Sequence, residues 1–183
     1  MERIQVNKNF CLDEFIDPVT YFTLPDHGLS LVDPSLFDIA QLLRDEYGNP
    51  LTINDWWKHL PEDFTDFDPV KFLRQCEAIG CPCWSGIRTD LTKVGAPASA
   101  HRLRGEKVFR AIDIRDKKIS GEEKILMDIV RKNAAKFYAL GLRRTEDILI
   151  TNGWLHGDTL NKNCKPNSIR VIDKTKCTET IYF

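Results

Sequence analysis

The sequence predicts an α+β fold, a mixed and partly antiparallel sheet with helices packed on one side. Three observations lead there. Helix punctuation dominates the first half of the chain, short strand-forming runs dominate the second, and one long helical stretch separates two of those runs. At 183 residues the chain is expected to form a single domain over 1–183, large enough to bury a core.

The elements follow in order. Asp33 and Pro34 supply a cap and a proline suited to the first helical position, and Gly48 follows the last turn of a stripe made by Leu36, Ile39, Ala40, Leu42 and Leu43. Asp68-Pro69 and Gly80 repeat this punctuation around Phe72, Leu73 and Cys76. A third helix is expected from the capping box Ser120-Gly-Glu-Glu123 to just before Gly141, with Ile125, Leu126, Ile129, Val130 and Phe137 inward. Strands are expected at Leu51–Asn54, Val108–Ile114, Ile148–Thr151, Ser168–Ile172 and Thr180–Phe183, with a further extended segment through Trp154-Leu-His156. Residues 55–67 and 89–107 read as loops.

Bulk properties exclude several classes. A net charge of -1 gives no broad electrostatic reason to bind nucleic acid or an anionic membrane. No apolar run approaches the ~20 residues that span a bilayer. The first residues lack the apolar centre of a secretory signal, so synthesis in a cytoplasm is expected, with any export by another route. The six cysteines are expected to be reduced thiols. Cys76, Cys81 and Cys83 are spaced unlike a standard zinc knuckle. Burial at a helix end is the simpler reading, and a structural metal is the alternative. Trp56-Trp57 can line a groove or pack beneath a loop.

The chemically richest residues are His101, Asp113 and His156. Two imidazoles and a carboxylate form a ligand set that zinc accepts while keeping a fourth position for water. Each residue alone has a plainer reading. Either histidine can be structural, and Asp113, set in Ala111-Ile-Asp113-Ile114, can pair with Arg110 or Arg115. Strand alternation places Ala111, Asp113 and Arg115 on one face and Ile112 and Ile114 on the other. His156 and Asp158 likewise share a face.

In context, these residues resemble the zinc D-alanyl-D-alanine carboxypeptidase family, which also holds phage endolysin L-alanyl-D-glutamate peptidases and the hedgehog signalling domain. The resemblance rests on Ser99-Ala-His101, Gly105, Ala111-Ile-Asp113 and Trp154-Leu-His156-Gly-Asp158. Upstream it includes Phe10-Cys-Leu-Asp-Glu-Phe15, Leu51–Asn54 and Trp84-Ser-Gly-Ile-Arg88. It covers about residues 8–160 and leaves 161–183 as a C-terminal strand extension completing a sheet edge. It implies a hedgehog/DD-peptidase-like fold and Zn2+ held by His101, Asp113 and His156. Arg88 would grip a substrate carboxylate or carbonyl, Ser99 would hydrogen-bond substrate, and Asp158 would orient an imidazole. The implied activity is cleavage of peptidoglycan stem peptides by a carboxypeptidase or an endopeptidase. The implied source is a phage or prophage, with the protein a monomer or part of a phage assembly, virion-associated or released at lysis.

The pattern departs from the family twice. Eleven residues, 102–112, separate the first histidine from the aspartate, where six are usual. The extra length can be accommodated as a longer loop, or it can break the site. Where active relatives carry a Glu or Asp before the last histidine, this chain has Asn152 and Gly153, neither of which can act as a general base. Asp158 is the first substitute candidate and Glu106 the second. The alternative to an enzyme is a non-catalytic phage structural or peptidoglycan-binding domain that keeps the fold, with or without zinc.

Overall fold

The computed structural model describes residues 2–81, 83, 85–86, 100–102, 108–118, 121–151, 153–161, 163–173 and 176–183. Arg88 and Ser99 lie outside these residues, as do Trp84, Gly105, Glu106, Ser120, Asn152 and most of the 89–107 loop.

Among the described residues, Asp-Pro pairs start two of the five α-helices. In α1 (Pro18–Thr23) the Asp17 carboxylate accepts from the backbone of Val19 and Thr20. In α3 (Pro69–Ala78) Asp68 does the same for Val70 and Lys71. Between them, α2 (Ser35–Tyr47) ends at Gly48, whose φ of 80° turns the chain out of the helix. The single long helix expected after residue 120 is two helices, α4 (Glu122–Lys132) and α5 (Ala134–Ala139). They are broken at Asn133, whose side-chain amide donates to the Ile129 carbonyl at 3.2 Å. The buried stripe is also turned from the one expected. Leu126, Met127, Val130 and Phe137 face inward, and Ile125 is exposed.

Among the described residues, five strands form one mixed sheet: β1 (Ala111–Ile114), β2 (Arg144–Glu146), β3 (Leu155–Asp158), β4 (Ser168–Asp173) and β5 (Lys176–Tyr182), in the order β1-β3-β2-β4-β5. Only the β2–β4 pair is parallel. Two expected strands differ. Leu51–Asn54 contributes a single antiparallel bridge, Thr52 with Arg115. Ile148–Thr151 is a turn organised by Asp147, whose carboxylate accepts from Leu149 N and whose carbonyl accepts from Ile150 N. The strand of that region is instead Arg144–Glu146, just upstream.

One face of the sheet carries Ile112, Ile114, Thr145, Leu155 and Gly157 and packs on Ile39 and Leu43 of α2, Val130 of α4 and Phe137 of α5. The void between them is only about 10 Å³. A second apolar region joins the N-terminal segment to α3 through Phe10, Phe15, Tyr21, Trp56 and Phe72. Trp56 belongs to this core. Trp57 is half-buried, stacks under the Arg3 guanidinium at 3.7 Å, and borders a surface cavity of about 300 Å³ with Leu60, Pro61, Glu62 and Phe64. No helix among the described residues is long and apolar enough to cross a membrane.

Candidate metal centre

The pleat that buries Ile112 and Ile114 sends Asp113 to the opposite face of β1, and the same alternation sends His156 and Asp158 to that face of β3. Asp113 pairs directly with His156 across the antiparallel ladder. The Asp113 N–H does not reach toward β3. It donates to the Ser85 carbonyl at 2.7 Å, which makes Asp113–His156 a non-hydrogen-bonded pair, the kind whose side chains approach most closely. His101 comes from the turn before β1. The residue before it is tied to the residue before β1 by the bond from Arg110 N to the Ala100 carbonyl, 3.2 Å.

Three donor atoms therefore converge. His156 Nδ1 lies 2.8 Å from Asp113 Oδ1, His101 Nε2 lies 3.2 Å from the same oxygen, and the two nitrogens are 3.2 Å apart. All three residues are buried. Tetrahedral zinc with bonds of about 2.0–2.1 Å holds its nitrogen and oxygen ligands about 3.3 Å from one another. The observed triangle has nearly that edge. A point about 2.0–2.1 Å from all three atoms exists just outside its plane. The cluster can hold a metal ion.

The outer hydrogen bonds set the tautomers that such an ion needs. His101 Nδ1 lies 2.7 Å from the Gly86 carbonyl oxygen, which can only accept, so this nitrogen carries the hydrogen and Nε2 presents its lone pair inward. His156 Nε2 faces Asp158 Oδ2 at 3.4 Å, leaving Nδ1 for the centre. Asp158 is fully buried and fully engaged. Arg144 grips it through Nε at 2.9 Å and Nη2 at 2.7 Å, and Leu160 N donates to it at 3.0 Å.

Burial alone would lower the pKa of His156, but its hydrogen bonds to Asp113 and Asp158 outweigh this and raise it to about 10. Burial likewise works against the ionised form of both aspartates. His101 and His156 nevertheless hold Asp113 well below the usual carboxylate range, and His156 and Arg144 hold Asp158 below it.

Two contributors escaped the sequence reading. The first is the backbone of Ser85 and Gly86, held by Asn54, whose amide oxygen accepts from Ser85 N at 3.0 Å while its amide nitrogen donates to the Ile16 carbonyl at 3.1 Å. Carbonyl groups have no residue-type signature, and only the neighbouring Ser-Gly pair hinted at them. The second is Glu146. The ladder pairs Arg144 with Asp158 and Thr145 with Gly157, so the next step sets half-buried Glu146 beside His156, and its charge helps raise that histidine's pKa. The polar tripeptide Arg-Thr-Glu carries no strand signal of its own.

Fold and site together define an α+β chain with a His₂Asp cluster, able to hold a metal ion, on the polar face of a mixed sheet. In comparison with protein-family models, curated proteins and solved structures, the chain matches none.

Proposed function

We propose that this protein is a zinc-dependent peptidase acting on peptidoglycan stem peptides, as a carboxypeptidase or an endopeptidase, and that it is of phage or prophage origin. The observation that carries this reading is the convergence of His101 Nε2, His156 Nδ1 and Asp113 Oδ1 within 3.2 Å of one another, with the remaining ring nitrogens directed at Gly86 and Asp158. Among the described residues three side chains make up the ligand set, the number that characterises catalytic rather than structural zinc. The bound metal supplies Lewis acidity and lowers the pKa of water to about 7.

The chain's own groups divide the remaining work. Asp113 and the two imidazoles hold the ion. Asp158 orients His156 and is not the base, because Arg144, Leu160 N and His156 already occupy its oxygens. Glu146, whose charge acts on His156 from the adjacent strand, would serve as the group that takes a proton from water and returns it to the leaving amine. Arg88 grips the substrate carboxylate or carbonyl and Ser99 hydrogen-bonds the substrate, roles that rest on the Ser-Gly-x-Arg and Ser-x-His resemblance.

The test combines metal analysis with product analysis. Purified protein should carry zinc and release cleavage products from muropeptides, and a chelator should abolish both. A second reading, a non-catalytic domain with a retained metal, is favoured by Gly153 at the usual base position. Stoichiometric zinc with no cleavage of any muropeptide would establish that reading instead.

A further inference from the structure

A second group of metal-ligating side chains lies apart from the His101 centre. Asp55 caps a short 3₁₀ turn, Trp56–His59, and the spacing of four residues brings His59 near it. The other half comes from the end of α3. Gly80, with φ of 70°, folds the chain back so that Cys81 N donates to the Cys76 carbonyl at 2.9 Å. Donor atoms of Asp55, His59 and Cys81 all lie within 4.8 Å of one another.

We propose that Asp55, His59 and Cys81 form a second, structural metal site that takes zinc or a similar thiolate-binding divalent ion. Simple burial of small thiols does not explain the group. Packing cysteines as hydrophobes requires neither a buried carboxylate nor a histidine beside them, and Asp55 is only 4% exposed. The spacing also suits a metal. Cys81 Sγ and Asp55 Oδ1 are 3.5 Å apart. Zinc bonds of about 2.3 Å to sulfur and about 2.0 Å to oxygen, at a tetrahedral angle, place those atoms about 3.5 Å apart. Lys117 takes the other oxygen of Asp55, Oδ2, so Oδ1 is the one directed at the sulfur. A metal held there by Asp55, His59 and Cys81 would cross-link two separate segments of the chain, which gives the site a structural role. It ties the 56–59 turn to the end of α3, directly before the segment that carries Ser85 and Gly86.

Cobalt substitution tests this independently of any peptidase activity, because the His101 centre has no sulfur ligand. The full chain is stripped with a chelator under reducing conditions and reloaded with Co²⁺. A thiolate-to-cobalt charge-transfer band is expected from the second site alone. Cys81→Ser should abolish the band and lower zinc content by about one equivalent per chain. His59 is exposed, so His59→Ala should leave the fold intact and weaken metal binding at least about tenfold, read from the same band. A wild-type protein without the band, a band indifferent to Cys81→Ser, or a Cys76–Cys81 disulfide found by intact mass in the reduced and reloaded protein overturns the proposal.

Discussion

Gly86→Ala should damage the His101 centre without touching a single proposed ligand. A Cβ built on Gly86 lies 1.7 Å from the Phe15 carbonyl oxygen, 2.4 Å from its carbon and 3.0 Å from its Cα. All three atoms are backbone, in a segment fixed by buried Phe15 and Ile16 and by the Asn54 and Trp56 hydrogen bonds to the Ile16 carbonyl. Relief to ordinary contact near 3.4 Å requires a relative shift of about 1.7 Å. If Gly86 carries that shift, its carbonyl leaves the 2.7 Å bond to His101 Nδ1, and the imidazole loses the contact that fixes its tautomer and orientation. Loss of such an outer partner lowers metal affinity about 10–100-fold. Overpacking adds about 1–3 kcal/mol of destabilisation, a fall of about 2–12 °C in Tm for a chain of this size. Zinc affinity is measured by competition with a chromophoric chelator and stability by calorimetry of the metal-free protein. Gly157→Ala is the control. Its Cβ meets only the end of the Leu142 side chain, at 3.3 Å, on the opposite face of the sheet. A Gly86→Ala protein that binds zinc within a factor of three of wild type refutes the role given to this carbonyl.

The pH dependence of the metal-free protein follows from the charged cluster. His156 is raised from 6.5 to about 10, so its contribution to stability is complete below 6.5 and is lost as pH rises through about 10. Asp113 and Asp158 are lowered from 3.8, so theirs is present above 3.8 and is lost on acidification. Melting temperature should therefore peak between these limits, and saturating zinc, which replaces the His156 proton, should remove the alkaline loss. An identical alkaline profile with and without zinc would argue against shared occupancy of that position. Asp158→Asn keeps an acceptor for Leu160 N but removes the charge facing Arg144 and His156. It should cost about 3 kcal/mol and lower zinc affinity about 10–100-fold. Cleavage lost at unchanged zinc affinity would instead make Asp158 the base.

The ligands were legible because strand alternation and residue type point the same way. Ile112 and Ile114 declare the buried face of β1, so Asp113 must lie on the other, and Trp154-Leu-His156 fixes the parity of β3. The loop of eleven residues did not reveal its geometry in the sequence. The Arg110–Ala100 hydrogen bond brings the residues on either side of it together, so its length adds closure entropy without moving His101 away from Asp113. Ile148–Thr151 misled for the opposite reason. Three β-prone side chains in a row outweigh a single aspartate in composition, yet the Asp147 hydrogen bonds decide the backbone, and Leu149 is left 89% exposed. At Asn133 one amide likewise overrides a continuous helical pattern.

Gly153 shows why the absence of a carboxylate at one position does not by itself decide activity. Its φ is 89°, a left-handed conformation that a side chain strains, while a Cβ there would meet nothing within 4 Å. The position is thus a turn that requires glycine, not a filled pocket that excludes glutamate. Introducing a carboxylate there with Gly153→Glu should cost about 1 kcal/mol from the backbone alone. It should not raise muropeptide turnover, because the turn does not hold the new carboxylate in a fixed direction. Glu146→Gln, on the adjacent strand, should reduce turnover about 10²–10⁴-fold with zinc content unchanged. Both variants are read in the same assay, with metal content measured in parallel. If Gly153→Glu accelerates cleavage and Glu146→Gln leaves it alone, the base belongs at the turn, and the register of β2 against β3 has no part in the chemistry.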